Sequence, residues 1–221
     1  MIRILKSPIP SALSRYRKQC KEQLNHGSTN VLDDYPQKVA LRKQLAKEQG
    51  YLCACCMRRI SLDFQATVIE HVKSQSRYPK EQLDYNNLLL CCDGKENGIG
   101  SQDHCDESMK DDDIKYDPAT HPCIETNIRY RRNGQIFSED PQWDSDLNAV
   151  LNLNAKRLCN NRKAVWEGIH GWLAHDHGRR TRSQIEAKLA SMYSLDQQER
   201  LPEYYGVMVY VLQKHPSYLS R

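Results

Sequence analysis

The sequence predicts a mainly α chain that carries a small cysteine-stapled insert and a short β-hairpin. Three observations predict it. Apolar residues recur at helical spacing near both ends of the chain. Six of the nine cysteines fall between Cys53 and Cys105. Asn133-Gly134 stands between two alternating runs, which is a strong short-range hairpin signal. The organisation that follows is a helical segment at residues 1–50, an insert core at residues 51–115, and a hairpin plus helical region at residues 116–221.

The first 50 residues read as helical and basic, with Arg15, Arg17, Lys18, Lys21, Lys38, Arg42, Lys43 and Lys47. Asp34-Tyr35-Pro36 looks like a helix entry, Val39, Leu41, Leu45 and Ala46 form an apolar stripe, and Gly50 is a stop. The basic residues suit a solvated helical face, the alternative being a face that contacts phosphate. Ala66 to Ile69 is a β-prone run ending at Glu70-His71. Residues 93–103, with Gly94, Gly98 and Gly100, read as a flexible loop. The acidic run Asp106 to Asp113 reads as solvated loop or helix end. Ile128 and Tyr130 alternate before the Asn-Gly turn, and Ile136 follows it. A helix is expected from Leu147 through Val150, Leu151, Leu153, Leu158, Val165, Trp166, Ile169 and Trp172, with Gly171 and Trp172 as packing residues. Two more are expected around Ile185–Tyr193 and Tyr204–His215.

Composition excludes some classes. With 39% hydrophobic and 27% charged residues the chain can bury a core, so disorder throughout is not expected. No run of about 18 apolar residues predicts a membrane span. The net charge of +4 decides nothing about a nucleic-acid partner, because patches matter more than totals. Met1 to Tyr16 lacks a continuous apolar stretch, so a cytoplasmic, reducing location is expected and a disulfide framework is not.

Clustered cysteines in such a setting read as a metal site. Cys53 and Cys56 form a C-x-x-C knuckle, and two thiolates at that spacing can turn a tight loop around one zinc ion. Cys92 and Cys105 supply the second pair across a twelve-residue loop. Cys55 competes with Cys56 and Cys91 with Cys92; the expectation is that Cys55 and Cys91 are not ligands, the alternative being that Cys91 binds and Cys92 packs. Such a zinc closes a segment too small to build its own core. Cys20, Cys123 and Cys159 stand alone and read as small hydrophobes or unremarkable thiols.

Between the cysteine pairs lies Val68-Ile69-Glu70-His71-Val72, then the polar stretch Ser74 to Pro79, then Asn87-Leu88. His104-Cys105-Asp106 and Lys110 close the series. Strand alternation sends Glu70 and His71 to opposite faces, so they serve one site only if the chain turns there. A zinc ribbon that merely grips nucleic acid or protein needs no Glu-His pair. A thiol redox enzyme built on Cys53 and Cys56 lacks the βαβ pattern that accompanies such motifs.

In this order the residues from about 53 to 110 resemble the HNH endonuclease family, whose core is the ββα-metal fold. Glu70 stands where the family more often has Asp, and Asp106 where it more often has Asn or His. Both keep an oxygen ligand. The resemblance is closest to the retron- and Septu-associated HNH proteins of the PtuB type. Lys6 to Leu13, the Asn133-Gly134 hairpin and Leu151 to Asn154 followed by Arg162 point the same way. It implies a phosphodiester hydrolase with His71 as general base, Glu70 and Asp106 holding magnesium or another divalent cation, and Asn87 fixing the His71 loop. Lys110 reads as a phosphate contact or a solvated lysine. The implied partners are an ATPase subunit of the Septu PtuA type, nucleic acid as substrate (DNA or RNA), and a retron reverse transcriptase with its nucleic acid, in anti-phage defence. The competing reading is a non-catalytic zinc-stapled module that binds nucleic acid or protein.

Overall fold

A computed structural model describes residues 3–63, 65–96, 102–122, 124–175 and 180–219. Cys123, Gly98 and Gly100 lie outside the described residues. The chain is mainly helical with two small antiparallel sheets. Helices α1 (Ser11–Gln19), α2 (Lys21–Asn25) and α3 (Lys38–Glu48) come first. Strands β1 (Thr67–His71) and β2 (Leu88–Cys92) pair antiparallel, with Thr67 opposite Cys92 and His71 opposite Leu88. The one-turn helix α4 (Asp106–Met109) follows. Next come α5 (Ile124–Asn127), strands β3 (Ile128–Tyr130) and β4 (Ile136–Ser138), and α6 (Pro141–Ser145). The chain then runs through α7 (Lys156–Ala174), α8 (Arg182–Met192), α9 (Tyr205–Gln213) and α10 (Pro216–Leu219).

β1 forms where Thr, Val and Ile follow one another, since branched side chains suit a pleated surface. All five residues of β2 are buried, so it reads as a continuous apolar run rather than an alternation. The second sheet is the expected hairpin. Gly134 takes φ +85°, and a Cβ there would sit 1.9 Å from the Cys159 carbonyl oxygen of α7. Only glycine lets the turn dock that closely. Arg162 of α7 closes the junction, donating to the Gly134 and Leu153 carbonyls at 2.6 Å each. Its burial costs little because carbonyls satisfy the guanidinium. α7 packs on α9, whose Val207, Val209, Val211 and Leu212 are buried.

Three expectations are corrected. Val39 is 68% exposed and takes no part in the α3 stripe; Leu41, Leu45 and Ala46 carry it. The helix expected from Leu147 onward is broken. A π-turn at Asp146–Val150 ends at Leu151, Asn152 adopts φ +47°, and α7 starts only at Lys156. The break has a cause in hydrogen bonding. Asn154 turns inward and clamps β4 by accepting from the Ile136 amide and donating to the Ile136 carbonyl, both at 2.9 Å. Gly171 is exposed and a Cβ there would meet nothing, so it is no close-packing residue. No helix of the described residues is long and apolar enough to cross a membrane.

Candidate metal centre and adjoining cleft

The cysteine knuckle is built by local turns. The Cys53 amide donates to the Arg58 carbonyl at 2.9 Å, and Met57 takes φ +62° to fold the chain back. The Ala54 amide donates to the Leu90 carbonyl at 3.1 Å and fastens the knuckle to β2. Cys105 comes from the far side, just before α4, with its amide on the Leu151 carbonyl at 3.0 Å. Gly94 makes that approach possible. It takes φ +75°, and a Cβ there would lie 1.5 Å from the His104 carbonyl oxygen.

The result is a buried cluster. The sulfurs of Cys53, Cys56, Cys92 and Cys105 all lie within 4.8 Å of one another and can hold a metal ion. The electrostatics favour one. Burial opposes ionisation of Cys53, yet the surrounding thiols of Cys105, Cys55 and Cys56 pull it well below the ordinary thiol value. Burial, then the Cys53 charge, pushes Cys105 well above it. A dry pocket that tolerates one thiolate needs a cation to hold four. The Cys92 amide donates to the Cys53 sulfur at 3.3 Å, which further supports negative sulfur there.

Sequence reasoning gave no role to the shell around these sulfurs. His104 is fully buried, its Nδ1 3.2 Å from the Cys105 sulfur and its Nε2 3.1 Å from Glu96. Burial disfavours its charged form, but the Cys92 sulfur and Glu96 outweigh this and raise its pKa. Glu96 also pairs with Arg58 at 3.1 Å and Arg157 at 2.6 Å. The only sequence signal for this shell is the position of His104 beside Cys105.

The second feature is a cleft of about 290 Å³ on the other side of β1. Lys38, Arg42, Glu70, His71, Asp106 and Lys110 line it. Glu70 and His71 thus reach one cleft although they are neighbours at the end of a strand. His71 is 6% exposed, and its Nε2 lies 3.0 Å from the Gln82 carbonyl oxygen. A carbonyl only accepts, so in neutral imidazole Nε2 carries the hydrogen and Nδ1 the lone pair. Burial lowers the His71 pKa and favours that neutral form. Burial first, and then the neighbouring Asp106 carboxylate, raises the Glu70 pKa well above the ordinary value.

Asn87 clamps the chain beyond His71. Its Oδ1 accepts from the Lys73 amide at 2.8 Å, and its Nδ2 donates to the Lys73 and Glu81 carbonyls at 3.1 Å each. Ser74 and Arg77, in the stretch after β1, are tied to Asp113 beyond α4. Sequence reasoning named neither Gln82 nor Arg42 as a site residue. Arg42 Nη1 reaches the Thr67 Oγ1 at 2.7 Å, which fixes the guanidinium at the cleft wall. No protein-family model and no curated protein matches the chain.

Proposed function

We propose that the cleft hydrolyses phosphodiester bonds in nucleic acid with a divalent cation, and that the chain is an HNH-type endonuclease. One observation carries this: an imidazole anchored through Nε2, with its Nδ1 lone pair free, shares a cleft with two carboxylates from β1 and α4. The donor set suits a hard cation, because Glu70 and Asp106 crowd each other and a positive ion relieves the repulsion that raises Glu70. Glu70 and Asp106 are its protein ligands. Magnesium, when bound, neutralises charge on the scissile phosphate and on the leaving oxygen.

The chain's own residues supply the rest. His71 Nδ1 accepts a proton from the attacking water. The Gln82 carbonyl keeps the ring oriented and stabilises the imidazolium that forms. Asn87 holds the backbone from Val72 to Lys73 against the 3₁₀ turn, so that His71 does not drift. Lys38, Arg42 and Lys110 give the cleft a cationic rim for phosphate. Zinc at Cys53, Cys56, Cys92 and Cys105 is structural: it ties the knuckle to β2 and to the start of α4. The order β1, β2, α4 supports a ββα-metal reading. The resemblance to PtuB-type proteins supports a role in phage defence beside an ATPase subunit, with a retron reverse transcriptase as a further partner.

The test is cleavage of DNA and of RNA with and without magnesium, by the chain alone and co-purified with its ATPase partner. Activity that needs magnesium and disappears in His71→Ala, while metal content and folding persist, is the expected result. Nucleic-acid binding without cleavage in any of these states would instead identify the zinc-stapled binding module.

A further inference from the structure

Six cysteine sulfurs lie in the insert, and the four-sulfur site uses only some of them. Cys55 and Cys91 are left over, both buried, with their sulfurs 3.3 Å apart. They are not separate from the first site. Cys53, Cys55 and Cys91 form a second group whose sulfurs all lie within 4.8 Å of one another. Cys53 belongs to both groups.

An independent observation points into the same place. Tyr116 is 0% exposed, and its hydroxyl has no hydrogen-bond partner among the described residues. Such an orphan costs stability unless something answers it. The neighbouring Asp146 carboxylate is taken up by the Lys115 and Tyr116 backbone amides rather than by the phenol. Burial, followed by the sulfurs of Cys55 and Cys105, keeps this phenol protonated, and Cys91 adds to the effect. Tyr116 is therefore a buried O–H donor within electrostatic reach of Cys55, Cys105 and Cys91.

We propose that Cys53, Cys55 and Cys91 form a second metal site for a soft d10 cation, with the Cys53 sulfur bridging it to the first ion and the Tyr116 hydroxyl donating to one of its thiolates. On binding, Cys55 and Cys91 each release a proton to solvent as a sulfur–metal bond forms. A divalent ion that arrives with two new thiolates leaves the net charge of the cluster unchanged, so the second ion adds no buried charge. Arg58 and His104 already lie near the sulfurs of the first group. Three thiolates suit zinc or its heavier congener and also cuprous ion, since soft ligands select these metals.

The experiment titrates the metal-free, reduced full chain with Cd²⁺ and, in an anaerobic arm, with Cu⁺. It reads thiolate-to-metal ultraviolet absorption, which ignores ions held by oxygen at Glu70 and Asp106. Two sulfur-bound ions per wild-type chain are expected in at least one arm, and the arm that reaches two identifies the cation class. The Cys55→Ser/Cys91→Ser double variant should stop at one. Tyr116→Phe should keep the first ion and weaken the second about tenfold, the scale of one charge-assisted hydrogen bond. Its metal-free form should be no less stable than wild type. If the double variant does not fold, Cys55→Ala, which removes the sulfur alone, replaces it with the same expectation. One sulfur-bound ion per wild-type chain in both arms overturns the proposal, as does a second ion that survives loss of Cys55.

Discussion

The insert around β1 and β2 and the helical layer of α7 and α9 are held together by different physics. In the helical layer, apolar faces meet: Leu158, Ile169 and Leu173 of α7 are buried, as are Val207 and Val211 of α9. In the insert, two five-residue strands and a one-turn helix are short, and β2, buried along its whole length, joins the same apolar core. Order there draws in addition on the clustered sulfurs and on side chains that bind backbone. Gln49 donates to the Leu52 and Leu90 carbonyls and accepts from the Leu90 amide, doing for β2 what a third strand would do. The contrast teaches that the insert adds backbone-binding side chains and a sulfur cluster able to hold a metal to the apolar burial that both regions share. The two meet where the Tyr204 amide donates to the Met57 carbonyl at 3.1 Å.

The largest effect should come from the sulfur cluster. Cys92→Ser removes one sulfur from a site that can hold a metal ion, and a structural zinc there would contribute on the order of 10 kcal/mol to folding. Metal content should fall, and amide exchange should quicken through β1, β2 and the knuckle while α7 and α9 stay protected. Uniform loss of protection across both regions would erase the distinction. A smaller effect of opposite placement is expected from Leu158→Ala. Its side chain is fully buried in α7, so about 3 kcal/mol should be lost in denaturant melts with metal stoichiometry unchanged.

The smallest concerns the tether between the N-terminal segment and the insert. Lys6 Nζ donates to the Leu88 carbonyl at 2.8 Å and lies 4.1 Å from the Tyr85 ring centroid. Burial outweighs attraction to Glu48 and Asp117 and lowers its pKa from 10.5 to about 8. Between these values the unfolded chain holds more protons, so this group makes stability rise with pH across that window. Thermal melts should show that rise, and Lys6→Met should flatten it.

What was legible in the sequence was short-range. The knuckle needs only the spacing of Cys53 and Cys56, β1 only its branched residues, and the hairpin only Asn133-Gly134 between alternating partners. The four sulfurs come together as their spacing suggests, within 4.8 Å. What was not legible depends on partners far along the chain. The apolar period runs unbroken from Leu147 to Leu158, and nothing in it reveals that Asn154 will turn inward to hold β4. Val39 stands about 200° around the helix from Leu41, so the apolar residues of α3 make no single stripe, and the face that packs is that of Leu41 and Leu45. The Tyr116 phenol is about 60 residues along the chain from the Cys55 sulfur that acts on it electrostatically.

Gln82 bears on the site in a further way. It is wholly buried, and while its carbonyl holds His71, its side chain accepts from the Val31 amide at 2.9 Å and donates to the Ser28 carbonyl. In kinematic terms the stretch from Ser28 to Leu32 and the imidazole are two arms of one linkage pivoting on a single residue. Displacing the stretch re-aims the ring, and turning the ring pulls on the stretch. The orientation of His71 is thus set from a part of the chain that contributes no ligand and no proton, some 40 residues upstream by the numbering.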